Sequence, residues 1–126
     1  KNLNLKEIKN LYSITDCYVS PYRAEGFNLT PLEAAACGSQ IVITKGGCTD
    51  DYYNPCLGFQ IESSEKKVDD KYFLMPNIDS LVNILEEKVI NKPDNSKMER
   101  SNYVVKNFSW DKVVSKLKEE FRNKLK

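Results

Sequence analysis

Three short apolar segments, with helical sequence between them, constrain the fold of this chain most. They lie at residues 17–20, 40–44 and 58–61, and the middle one has a β-branched centre, which is typical of a strand covered on both faces. Between the first two, residues 32–37 are small and helix-forming, and they end at Gly38, a natural helix C-cap. This alternation predicts an α/β fold with a Rossmann-like parallel sheet flanked by helices.

The second half of the chain is predicted to be mainly helical. Residues 62–71 are charged and lack an apolar period, which predicts a solvated loop, and residues 72–75 are either an edge strand or an apolar anchor. Ser96 and Glu99 have the spacing of a capping box, in which a cap residue and the residue three positions later pair reciprocally. Three closing helices are predicted, at residues 78–89, 96–107 and 109–125.

Composition narrows the classes of function. The 126 residues suffice for one domain, and 19 basic residues against 18 acidic ones give a net charge of +1, which predicts no nucleic-acid partner. No apolar run reaches the roughly 20 residues of a membrane span, and no signal-peptide pattern opens the sequence. Histidine is absent, so a mechanism that needs a histidine base must take it from outside this chain.

The four cysteines show no spacing that is typical of a zinc or CxxC site. Cys17 and Cys37 lie in apolar segments and are predicted to be small core residues. Cys48 and Cys56 lie in a loop region, where a disulfide between them remains open. A reduced, cytoplasmic compartment fits this pattern better than an oxidising one.

The final predicted helix carries a basic face beside its apolar stripe. The basic residues include Lys112, Lys116 and Arg122. A solvated surface is the simpler interpretation of this face, because long basic side chains cover apolar surface and keep their charge in water. Peripheral contact with lipid headgroups at a membrane surface is the alternative.

The segment from Glu25 to Glu33 is the candidate functional site. It joins the first strand to the next helix, where Thr30 and Glu33 have the capping-box spacing and Pro31 takes the first helical position. A helix start exposes unpaired N–H groups and the positive end of the helix dipole, and both favour an anion. Gly26 lets the backbone approach a ligand closely. The structural alternative to ligand binding is that Glu33 only caps the helix and that Glu25 is only an acid at the protein surface.

A family resemblance extends this hypothesis. The matching residues are Ser13–Pro21, Glu25–Ala34, Gly38, residues 41–44, Gly46, Gly47, Gly58 and Phe108–Trp110. Together they resemble the donor-binding domain of nucleotide-sugar-dependent glycosyltransferases of the GT-B fold, in particular the large retaining family 4. The resemblance implies a retaining transfer of a sugar from a nucleoside diphosphate sugar to an acceptor hydroxyl. The donor is then a substrate, and by the same resemblance we expect no cofactor and no metal.

The resemblance also implies a role for each site residue. Glu25 resembles the acid near the transferred sugar and its phosphate link, the candidate catalytic residue, and Glu33 is similar to the acid that accepts hydrogen bonds from the donor ribose. Asn28 stands where the family usually has glycine, and asparagine tolerates a left-handed backbone, so we expect the loop to keep its shape. The resemblance implies that sugar hydroxyls bind to the backbone amides of Gly26, Phe27 and Asn28. It implies that the diphosphate binds to the amides of Leu29 and Thr30.

By the same resemblance, residues 1–126 lack parts of the family's architecture. The expected additional parts are earlier βα units with a basic Arg/Lys pair and an N-terminal domain that binds the acceptor. We therefore expect a single-domain fragment, about the last two-thirds of a donor-binding domain, that has little activity alone and self-associates through an uncovered sheet edge. The alternatives are a non-catalytic nucleotide-binding module for assembly and a GT-B-fold sugar-nucleotide epimerase.

Overall fold

The computed structural model describes residues 2–92 and 94–125, and it has the α/β architecture that the sequence predicts. A parallel three-stranded sheet is flanked by helices, and a two-stranded hairpin forms a second sheet. The elements are α1 (Leu5–Ile14), β1 (Cys17–Ser20), α2 (Leu29–Ala36), β2 (Gln40–Thr44), β3 (Gly58–Ile61), β4 (Ser63–Val68), β5 (Lys71–Pro76), α3 (Ile78–Ile84), α4 (Lys97–Phe108) and α5 (Trp110–Lys124). A 3₁₀ turn, Cys48–Asp51, follows β2, and a π-helical stretch, Leu85–Ile90, continues α3.

Strand β2 lies at the centre of the parallel sheet, between β1 and β3. Ser20 pairs with Ile43 and Thr44 pairs with Ile61, so the carboxyl ends of the three strands lie at one edge. Ile41 to Thr44 are fully buried, as their continuous apolar pattern predicts. Within the described ranges, the outer edge of β1 pairs with no strand, which is the uncovered edge expected from the sequence.

Helix α2 packs its small residues into the core. Ala34 and Ala35 are fully buried, and α4 contacts α2. At the end of α2, the amide of Gly38 donates to the carbonyl of Ala35, and the amide of Ser39 donates to the carbonyl of Ala34, both at 3.0 Å. This pair of bonds is a Schellman motif and confirms the helix end predicted at Gly38. The core cluster consists of Leu32, Ala35, Ile41, Ile43, Tyr52, Leu57 and Val104.

The prediction of a solvated loop at residues 62–71 is wrong. The chain forms the antiparallel pair β4–β5 there. Residues 72–75 belong to β5, so they form a strand rather than only an apolar anchor. Val68 pairs with Lys71, so Asp69 and the residue after it form a two-residue turn, and Asp69 has a left-handed φ of 48°. The strand pattern was hidden because both faces of β4 carry polar side chains, which removes the alternation that marks a half-buried strand.

A buried arginine joins the start of α4 to the end of α2. Arg100 is 1% exposed, and its Nε and Nη2 atoms donate to the carbonyl of Gly38 at 3.1 and 3.0 Å. Its guanidinium also pairs with Asp94. The predicted capping box of Ser96 and Glu99 is wrong, because Ser96 makes no side-chain cap bond and its amide donates to the Asp94 carboxylate instead.

All four cysteines are free thiols, so Cys48 and Cys56 form no disulfide. Cys17 and Cys37 are only partly buried, which corrects their prediction as core residues. Burial raises the pKa of Cys17 to about 11, so this thiol stays protonated at neutral pH.

Helix α5 keeps much of its apolar stripe in solvent. Val113, Leu117 and Phe121 are 39%, 52% and 66% exposed. The apolar helix surface expected from the sequence is therefore present, while self-association and membrane contact stay predictions. In the part of the chain that the structure describes, no helix combines the length and the apolar character that crossing a bilayer requires.

Candidate functional site

The loop after β1 and the loop after β2 meet at the carboxyl edge of the sheet. Tyr22 links them, because its hydroxyl shares a hydrogen bond of 2.8 Å with the Oγ1 of Thr49, and its carbonyl accepts one of 2.9 Å from the Oγ1 of Thr44. Burial raises the pKa of Tyr22, so its phenol stays protonated at neutral pH. The loop after β1 and the loop after β2 therefore form one continuous surface.

Helix α2 begins earlier than predicted. Its N-cap is Asn28, which has a left-handed backbone with φ of 58° and ψ of 69°. The predicted capping box is wrong, because the hydroxyl of Thr30 lies inside the helix and donates to the Oδ1 of Asn28 at 3.2 Å. Pro31 takes the third helical position rather than the first, and it costs no hydrogen bond there because the first turn has no intrahelical acceptor.

Asn28 holds the loop through both its side chain and its backbone. Its Nδ2 donates to the Oγ of Ser20 at 2.9 Å, and its carbonyl accepts from the Oη of Tyr52 at 2.9 Å. Burial raises the pKa of Tyr52 and keeps this donor protonated. The rings of Phe27 and Tyr52 also pack together, with centroids 5.3 Å apart. The left-handed conformation expected of Asn28 is thus confirmed.

The carboxylate of Glu33 is free of the capping role that the sequence allowed for it. Glu33 is exposed and lies just beyond the first turn of α2. No hydrogen bond or ion pair engages it within residues 2–92 and 94–125, and the same holds for the exposed Glu25. Because neither acid supports the local structure through such a bond, the purely structural interpretation of Glu33 loses its main argument.

The two acids line different cavities. Glu25 lines one of about 250 Å³ that also touches Gly46, Gly47 and the β4–β5 hairpin. Glu33 lines one of about 300 Å³ beside Phe108 and Trp110. The sequence places Glu25 and Glu33 in one candidate site, whereas in the structure they line two cavities that share no lining residue.

The backbone between the two acids carries unpaired donors. Among the described residues, no protein acceptor engages the amides of residues 26–30, and the last two of these open α2. Free amides at the positive end of a helix dipole attract an anion such as a phosphate. The arrangement can therefore hold a diphosphate at the amides while carboxylates accept hydrogen bonds from hydroxyl groups on either side.

Sequence reasoning missed three contributors to this edge. Arg23 lines the same cavity as Glu25, and its guanidinium carbon lies 5.8 Å from the centre of the Phe73 ring. Tyr52 anchors the loop through Asn28. The β4–β5 hairpin supplies a wall, and only its charged composition was visible in the sequence.

In the described ranges, no cluster of three or more histidine, cysteine, aspartate or glutamate side chains is arranged to hold a metal ion.

The fold and this edge define a Rossmann-like α/β domain in which a helix begins with unpaired amides at the carboxyl edge of the sheet. A family model described as "Glycosyl transferases group 1" matches residues 1–103, more than half of the chain. The chain belongs to this glycosyltransferase family. Phe108 and Trp110, which contributed to the resemblance seen in the sequence, lie beyond the matched residues.

A similar protein is "Uncharacterized protein 356" of Sulfolobus islandicus rod-shaped virus 1. It is 29% identical over 128 residues, an alignment that covers 94% of this chain and 36% of that protein. The chain thus spans little more than a third of the length of this curated relative.

Proposed function

We propose that this chain binds the nucleoside diphosphate sugar donor of a retaining, GT-B-fold glycosyltransferase. The observation that carries the proposal is the exposed carboxylate of Glu33, which makes no helix-capping hydrogen bond. It lies three residues after the last of the unpaired amides of residues 26–30. Membership of the group 1 glycosyltransferase family supports a sugar nucleotide as the ligand.

Each group has a role that its chemistry suits. The amides of Leu29 and Thr30 bind the diphosphate at the positive end of α2, and those of residues 26–28 bind sugar hydroxyls. Glu33 accepts hydrogen bonds from the ribose, because an ionised carboxylate only accepts. Glu25 lies at the transferred sugar and its phosphate link, where it is the proposed catalytic residue.

Catalysis in this proposal is mainly electrostatic. Negative charge builds on the diphosphate as its bond to the sugar breaks, and donors that are already oriented towards it stabilise that charge. The anchored loop supplies such orientation, because the bonds of Asn28 to Ser20 and Tyr52 hold the amides in place before the donor binds. Transfer to an acceptor hydroxyl then requires a partner domain that binds the acceptor.

Isothermal titration of the chain with UDP and with GDP tests donor binding. We expect one of them to bind, and Glu33→Ala to weaken its affinity by about tenfold to a hundredfold, because a hydrogen bond to a charged group contributes about 1.5–3 kcal/mol. Glu120→Ala is the matched control, since Glu120 is an exposed glutamate on α5. Absence of binding to both nucleotides, or equal affinity in Glu33→Ala and wild type, would contradict the proposal.

A further inference from the structure

The cavity beside Glu25 has a wall that the donor-binding loop alone does not provide. Its volume is about 250 Å³, and its far side is the β4–β5 hairpin. In the hairpin register, Glu65 pairs with Leu74 and Lys67 pairs with Tyr72, so these four side chains share one face. Glu65, Tyr72 and Leu74 line the cavity from that face.

The hairpin is packed onto the loops and has a defined position. The amide of Leu74 donates to the carbonyl of Arg23 at 2.8 Å, and the Oγ of Ser63 donates to the carbonyl of Lys45 at 2.7 Å. A Cβ atom on Gly47 would lie 2.8 Å from the Cδ1 of Leu74, so the loop after β2 approaches the hairpin as closely as glycine permits. The hairpin is therefore a fixed wall of the cavity.

The lining of this cavity suits a neutral polyol better than an anion. The carboxylates of Glu25 and Glu65 accept hydrogen bonds from hydroxyl groups, and the exposed ring of Tyr72 offers an apolar surface to the C–H face of a sugar. Among the side chains that line the cavity, two carboxylates outweigh the one guanidinium, of Arg23, which packs near the Phe73 ring. The ammonium of Lys67, on the same face of the hairpin, lies 5.9 Å from the centre of the Tyr72 ring and is paired with the Asp70 carboxylate at 3.1 Å. The Glu25 and Glu65 carboxylates would repel a carboxylate on the bound sugar, such as that of a uronate.

We infer that Glu65 and Tyr72 select the transferred sugar, forming with Glu25 a subsite for an uncharged hexose that disfavours a uronate. This inference rests on the proposed function, because the subsite matters only if a sugar nucleotide binds at the neighbouring amides. The hairpin thereby contributes specificity to the donor site, and the amides of residues 26–30 contribute anchoring of the diphosphate.

The test compares the affinities of UDP, UDP-glucose and UDP-glucuronate by isothermal titration. If GDP is the nucleotide that binds, GDP and GDP-mannose replace UDP and UDP-glucose. We expect the neutral sugar to raise affinity about tenfold over the diphosphate, with the uronate giving no gain. Glu65→Gln and Tyr72→Ala should each remove most of the gain and leave affinity for the diphosphate unchanged, and Glu65→Gln should also narrow the discrimination against UDP-glucuronate.

Asp69→Asn is the matched control, because it makes the same carboxylate-to-amide change at the exposed hairpin turn, away from the cavity lining. Both Glu65 and Tyr72 are exposed, so their variants should fold, and far-ultraviolet circular dichroism checks this. If the diphosphate binds but the sugar adds no affinity, or if the variants weaken diphosphate and sugar nucleotide equally, the inference is overturned while the proposed function stands. Absence of any nucleotide binding overturns both.

Discussion

The guanidinium of Arg100 provides a strict test of how this domain is held together. It is buried at 1% exposure and bridges two elements, since it donates twice to the carbonyl of Gly38 after α2 and pairs with Asp94 before α4. Replacing Arg100 with alanine leaves the Gly38 carbonyl without its charged donors and leaves Asp94 without its counter-charge. Both losses destabilise the same junction.

The expected loss of stability in Arg100→Ala is about 3 kcal/mol. Removing one partner of a buried ion pair typically costs about 3–5 kcal/mol, and we take the lower end because the Asp94 side chain is 21% exposed and regains some hydration. With a urea m-value of about 1–3 kcal/mol/M, the unfolding midpoint should fall by about 1–3 M.

Urea unfolding should be followed by far-ultraviolet circular dichroism, because the one tryptophan, Trp110, is already 83% exposed and its fluorescence would report little. Lys106→Ala, an exposed substitution on α4, should change stability by less than about 0.5 kcal/mol. A loss below about 1 kcal/mol in Arg100→Ala would refute the argument that this junction depends on the buried guanidinium.

The same junction predicts a dependence on pH. Burial by itself raises the pKa of Asp94, but the hydrogen bonds from Arg100 and from the Ser96 amide outweigh it, and the net pKa lies below the usual 3.8. A lowered pKa stabilises the folded state above the unfolded-state value, and this contribution is lost as pH falls through the folded-state value. The stability difference between wild type and Arg100→Ala should therefore narrow below about pH 4, and a difference that stays constant with pH would contradict this assignment.

Two further substitutions test the loop and the sheet. Tyr52→Phe removes the hydrogen bond to the Asn28 carbonyl. We expect urea unfolding to show a stability lower by about 1 kcal/mol, and titration to show weaker nucleotide binding. Unchanged binding would show that this bond does not organise the loop. Gly58→Ala places a Cβ atom 1.9 Å from the carbonyl oxygen of Ile41 at a φ of 150°. We expect thermal unfolding to show a loss of stability of about 3 kcal/mol, the upper end for overpacking, and a near-native melting temperature would contradict the close strand approach.

Local signals in the sequence were sufficient to predict the parallel sheet and the residue at which α2 ends. The β-branched run at residues 40–44 requires burial on both faces, and Gly38 ends a helix through bonds to its own last turn. The left-handed conformation at Asn28 was also predictable, because asparagine tolerates that backbone at little cost. Each of these features depends on residues that are close in the sequence or on a strong periodic pattern.

The remaining features depend on contacts between distant residues, and only the tertiary structure decided them. Arg100 is buried because it meets a carbonyl 62 positions earlier, and no pattern within α4 records that partner. Residues 63–76 form a hairpin because their strands pair with each other and dock on Arg23, although their composition resembles a loop. Glu33 is left without a cap role because Asn28, held by Ser20 and Tyr52, starts the helix earlier. Sequence alone therefore determined the α/β framework and pointed to the candidate site, and long-range packing determined which side chains of that candidate site make no hydrogen bond or ion pair within the described residues.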